Sequence, residues 1–147
     1  MNIIFDAMFG AGWVSYLRSF FLTHKEPRPR LVHIYEIFPP DVKDDVWIPQ
    51  LIAHDWIVIS GDAGRRPPRL PELCRQEGKT HIILSSTLKQ ETGFVKARAV
   101  VVLWPEIARA ADAPPGTRFQ MQTTDAGHEH FRLVKKDANQ QKQGCLQ

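Results

Sequence analysis

Carboxylates are the residues of this chain whose types and spacing could do chemistry. Asp6 closes a short apolar run, Asn2-Ile3-Ile4-Phe5. Asp62 closes another, Trp56-Ile57-Val58-Ile59-Ser60-Gly61. Between them stands the adjacent pair Asp44 and Asp45, just ahead of an apolar segment that contains Trp47 and Leu51. Carboxylates packed together repel and raise one another's pKa unless a cation neutralises them. Hard oxygen donors at such density suit Mg²⁺ or Mn²⁺. Ions of that kind activate a water and neutralise a phosphate. Each acid also has a purely structural use. Asp6 could end a strand at a turn, and Asp62, after a glycine, could occupy one. Asp44 or Asp45 could cap a helix, worth about 1 kcal/mol.

A joint site requires elements that carry these acids to one rim. Asn2 to Asp6 reads as a buried strand. Trp13, Tyr16, Leu17, Phe20 and Phe21 fall at helical spacing, which predicts an amphipathic helix over 12–22. His24 to Arg30, with two prolines and three bases, reads as a loop. Leu31 to Ile37 is rich in branched residues and predicts a second strand, stopped by Phe38-Pro39-Pro40. The next helix carries Trp47, Leu51 and Ile52 on one face. Pro49 is expected in its first turn, which sets Asp44 or Asp45 at or just before the N-cap. Trp56 to Ser60, apolar almost throughout, reads as a strand covered on both faces.

The remaining pattern continues the alternation. A proline-bounded loop leads to a short helix over 72–77, and His81 to Leu84 is a fourth strand. Phe94 to Ala110 is predicted helical, with Val95, Ala99, Val102 and Leu103 inward and a bend or break at Pro105. Residues 117–122 and 129–134 alternate around Asp125-Ala126-Gly127 and predict a terminal hairpin. Residues 135–147 are polar and glutamine-rich, and are expected to be a disordered tail to a domain spanning 1–134. Strands alternating with helices define an α/β domain with a mostly parallel sheet. Ligands of such sheets bind outside the carboxyl ends of the strands. Asp6 and Asp62 end strands at that edge, and a helix following a strand begins there, which brings Asp44 and Asp45 to the same rim.

Composition narrows the class. The chain has 147 residues, 43% hydrophobic and 24% charged, which suits one folded domain and excludes a collagen-like or fully disordered chain. Two cysteines, Cys74 and Cys145, have no ligand-like spacing, so neither a disulfide scaffold nor a cysteine zinc site is expected. The longest stretch without a charge runs from Ala7 to Leu17, far short of a membrane span. Met1 to Asp6 lacks the basic start of a signal peptide, and a soluble cytoplasmic protein is expected.

Charge is segregated along the chain. From Glu36 to Asp62 six acids face one base, a balance of −5. From Arg65 to Arg98 eight bases face three acids, a balance of +5. Carboxylates followed by cations are what a metal site beside a phosphate track needs; the plainer reading is a solvated surface. Arg65, Arg66 and Arg69 directly follow Asp62 and are candidate phosphate grips through the bidentate arginine fork. Lys89, Lys96 and Arg98 form an alternative track. His128 and His130 share one face of a predicted strand but suggest no third metal ligand. The four tryptophans sit in apolar segments and are expected in the core. Neither a phosphate-cradling glycine loop nor a G-x-S-x-G nucleophile turn occurs.

Taken together, Ile3-Ile4-Phe5-Asp6, Phe38-Pro39-Pro40-Asp41-Val42-Lys43-Asp44-Asp45-Val46-Trp47-Ile48-Pro49, Trp56 to Asp62 and Trp104-Pro105-Glu106-Ile107 resemble the PIN-like domains, and most closely the VapC-type toxins of bacterial toxin–antitoxin pairs. The resemblance implies a three-layer α/β/α domain and Mg²⁺-dependent (or Mn²⁺-dependent) endoribonuclease activity. It assigns Asp6, Asp44 and Asp62 as catalytic metal-binding acids, with the adjacent Asp45 as the metal ligand that could stand in for Asp44. The partners it implies are RNA and a cognate antitoxin, with homodimerisation open. Two positions depart from the pattern: Ala7 follows the first acid where relatives often carry Asn or Glu, and Ala63-Gly64-Arg65-Arg66 follows Asp62 where many carry a further acid. A degenerate, non-cleaving PIN-like module that binds RNA or protein is the alternative these departures raise.

Overall fold

The computed structural model describes residues 1–22, 29–52, 56–61, 69–124 and 130–136. Six strands build one sheet: β1 (Asn2–Phe5), β2 (Arg30–His33), β3 (Trp56–Ser60), β4 (Thr80–Leu84), β5 (Arg118–Thr123) and β6 (Phe131–Lys136). Their order is β2-β1-β3-β4-β5-β6. The first five are parallel, and β6 returns antiparallel on β5 as the expected hairpin. The hairpin tip falls outside the described residues, and β6 reaches Lys136, two positions past the expected strand end.

Side chains alternate across a strand, so each strand feeds two cores. Ile3, Phe5, Ile57, Ile59, Ile82, Leu84 and Met121 face one side. They pack there on α1 (Ala11–Phe21), α6 (Gly93–Val102) and α7 (Trp104–Ala110). Ile4, Trp56 and Val58 face the other side, against α3 (Asp44–Gln50) and α4 (Leu70–Gln76). Helix layers on both faces make the three-layer α/β/α architecture. β3 is buried along its whole length, as its unbroken apolar run requires. Trp47, Trp56 and Trp104 are buried, and Trp13 packs its indole over Gly93, where a Cβ would stand 2.0 Å from Nε1.

Four local expectations are corrected. The second strand stops at His33, and Ile34–Ile37 is a helical turn, α2. His33 caps it: Nδ1 accepts the Tyr35 N–H, and the Glu36 carboxylate accepts the His33 N–H at 2.7 Å. These reciprocal bonds outweigh the strand preference of the branched residues. Pro49 is not in a first turn; it sits one residue before the C-terminal end of α3, which starts at Asp44 after the N-cap Lys43. Proline removes a helical donor, and the helix closes at Gln50. Ile52 therefore lies past the helix and is 86% exposed rather than inward. Val102, the last residue of α6, is also exposed; the helix predicted over 94–110 breaks at Leu103, and Pro105 stands in the first turn of α7. A short α5 (Ser86–Lys89), capped by the Ser85 hydroxyl, has no counterpart in the sequence pattern.

Candidate active site

β1 and β3 are neighbours in register, Phe5 beside Ile59, so their carboxyl ends lie side by side. The Asp6 N–H donates to the Ile59 carbonyl at 3.1 Å and carries the pairing one residue past β1. The Asp6 carboxylate then ties both strand ends together. Oδ1 accepts the Met8 N–H at 3.0 Å, and Oδ2 accepts the Gly61 N–H at 3.3 Å. Gly61 is the residue before Asp62. It is buried under Met8, and a Cβ there would meet the Met8 sulfur at 1.8 Å, so a larger residue would have to displace the Met8 side chain. The buried backbone at the rim is thus organised around one partly exposed acid.

Asp44 and Asp45 occupy the first turn of α3, where the helix dipole favours negative charge. Asp44 accepts the Trp47 indole N–H at 2.9 Å, which fixes the one polar atom of a fully buried ring. Its charge also reaches Cys74 on α4. Burial, then Asp44, push that thiol up to about 12, so Cys74 is an inert core residue. Asp45 is exposed. Among the described residues no three His, Cys, Asp or Glu side chains converge on a cation-sized space. Asp62, Arg65 and Arg66 lie outside the described residues. Arg69, the N-cap residue of α4, is exposed and lies 3.7 Å from Glu72. Lys96 is buried in α6, whereas Lys89 and Arg98 are exposed, so the second cationic track is split between core and surface.

One buried polar pair escaped the sequence reading. His81 on β4 and Ser60 on β3 meet at 2.7 Å through Nε2 and Oγ, on the α4 side of the sheet. Burial, then the Arg118 charge, lower the His81 pKa to about 3. The pair is sealed from solvent, so Ser60 serves the core. Its signal was a histidine opening an apolar strand, His81-Ile82-Ile83-Leu84. His128 lies outside the described residues.

A mostly parallel sheet between two helix layers defines a three-layer α/β/α domain, with Asp6 binding both strand ends at its carboxyl edge. The family model of the PIN-like domain matches residues 1–86, more than half of the chain, and the chain belongs to that family. The match spans β1 through β4 and so includes Asp6, Asp44, Asp45 and Asp62. No curated protein and no solved structure matches the chain. No helix among the described residues is long and apolar enough to cross a membrane.

Proposed function

We propose that this protein is a metal-dependent endoribonuclease, the toxin of a toxin–antitoxin pair, with Asp6, Asp44 and Asp62 as its catalytic acids and Asp45 as an adjacent metal ligand. The observation that supports the reading is the hydrogen bond from the Gly61 N–H to the Asp6 carboxylate, which joins the carboxyl ends of β1 and β3, the strand that Asp62 follows in sequence. The donor set is carboxylate oxygen without imidazole or thiolate, which fits Mg²⁺ or Mn²⁺ rather than a softer ion. Such an ion supplies a nucleophilic water and offsets charge on the phosphate. The chain's own residues position the reaction. Asp6, held by two backbone N–H groups, offers a fixed anionic wall, and Arg69, with Arg65 and Arg66 before it, holds substrate phosphates. A cognate antitoxin would silence the protein by laying an extended acidic or arginine-bearing tail across this rim.

The test is single-turnover cleavage of RNA by Asp62→Asn and Asp44→Asn with Mg²⁺ and with Mn²⁺. Each variant should fold and lose metal-dependent cleavage. Full activity in Asp62→Asn overturns the assignment. A non-catalytic binding module is the second reading, favoured by Ala63-Gly64 where a further acid often stands. Metal titration separates the two: a bound ion at one hundred times its Kd stabilises the fold by about 2.7 kcal/mol, whereas the binding module shows no shift in Tm.

A further inference from the structure

The opposite end of the sheet carries a second charged feature, mostly outside the 1–86 family match. A cleft of about 620 Å³ opens there, lined by Arg75, Thr117, Arg118, Lys135 and Lys136 around the turn at Gly116. Arg75 belongs to the last turn of α4. Gly116 has φ 84°, and a Cβ on it would stand 3.1 Å from the Arg75 carbonyl, so glycine lets the turn press against the end of α4. Arg118 opens β5 and pairs directly with Lys136, the last residue of β6. Like charges directly opposite on an antiparallel pair are unfavourable. Burial, then the Arg75 charge, lower the Arg118 pKa, while Cys74 and Glu72 act in the opposite sense. Arg75, Arg118 and Lys136 therefore share one cleft whose described lining contains no carboxylate, while Lys135 borders it from the face of its pair Phe119. That is the electrostatic form of an anion site.

The cleft continues as a strip. Phe119 and Met121 face the α1 side, so Arg118, Gln120 and Gln122 face the other. Gln120 pairs with Val134 and Gln122 with Arg132 on the same face. The Arg132 Nε–H donates to Gln122 Oε1 at 2.7 Å, and the Gln122 amide donates on to Gln120. The core on that face includes no residue of β5 or β6. The polar, cationic strip is thus not needed for packing. Across the sheet β5 lies three strand spacings, about 14 Å, from β1, which carries Asp6 at its end, too far for one phosphate to touch both.

We propose that this cleft binds phosphate groups, and that the strip along β5 and β6 takes the phosphodiester backbone of single-stranded RNA. The choice of polymer rests on the proposed ribonuclease reading; the phosphate site does not. Binding of a labelled single-stranded oligoribonucleotide to the full chain should be measured by fluorescence anisotropy in EDTA, across a salt series, for the wild type and Arg75→Gln/Lys136→Gln. Loss of two contacts should lower the salt slope by about 1.4 and weaken binding about 25-fold at 0.1 M salt. In parallel, inorganic pyrophosphate should raise the Tm of the wild type and not of the variant. Lys136→Gln alone, which removes the cation paired with Arg118, serves if the double variant does not fold. A pyrophosphate response without an RNA response keeps the phosphate site and overturns the polymer. Unchanged binding and unchanged Tm response in a folded variant overturn the proposal. Because EDTA prevents cleavage, these outcomes are independent of whether the acids at the other rim are catalytic.

Discussion

Acidification should destabilise this protein through His81, and the size of the effect follows from its site. The ring is completely buried, Ser60 engages Nε2, and Nδ1 has no hydrogen-bond partner among the described residues. A proton added to the ring would leave a cation in the core next to the positively charged Arg118, which is why the pKa falls from 6.5 to about 3. The unfolded chain takes up that proton near pH 6.5 and the folded chain does not. Stability is therefore complete above about pH 6.5 and declines as pH falls from there toward 3. Between pH 7 and pH 5 this one group should remove about 2 kcal/mol, or about 4–8 °C in Tm for a chain of this size. The assay is guanidinium unfolding at both pH values for the wild type and His81→Gln, which cannot titrate. The variant should lack about 2 kcal/mol of the pH-dependent loss, whatever the other histidines contribute. Equal losses in the two proteins, or a native His81 NMR titration near pH 6.5, would refute the reasoning.

Two further outcomes follow from the carboxyl edge and the core. Asp6→Asn keeps the shape but turns one acceptor oxygen into a donor, facing the Gly61 or Met8 N–H; it should cost about 1–3 kcal/mol in metal-free denaturant unfolding, and an unchanged midpoint would show that the two N–H bonds carry no stability. Cys74, buried and with its thiol pushed up to about 12, should resist a thiol-specific reagent at pH 8 until denaturant is added; labelling of native Cys74, read by peptide mass spectrometry, would contradict the burial.

Legibility in the sequence followed how local each cause was. The continuous apolar runs of β1 and β3 announced buried strands because a strand covered on both faces has no solvent side to mark. The proline after Trp104 announced a helix break because its missing N–H acts wherever the chain goes. Asp6 was legible as a strand-end acid, and the resemblance carried the family. Other boundaries depended on bonds made across the chain or on competition between neighbours. β2 looked longer than it is because the local cap between His33 and Glu36, three positions apart, competes with the strand preference of the branched residues.

Tertiary structure alone decided which polar groups share a space. Ser60 and His81 are twenty-one positions apart and became partners through the parallel pairing of β3 and β4. Arg75, Arg118 and Lys136 came together because α4 runs back to the amino edge of the sheet while β6 returns antiparallel to meet the start of β5. Charge counted along the chain could not show this, since Lys79 and Lys96 of the same basic segment are buried and leave the surface. Periodicity records which side of its own element a residue takes. Packing of one element on another fixes what that side meets, and this is where the acid at one rim and the cations at the other acquired their surroundings.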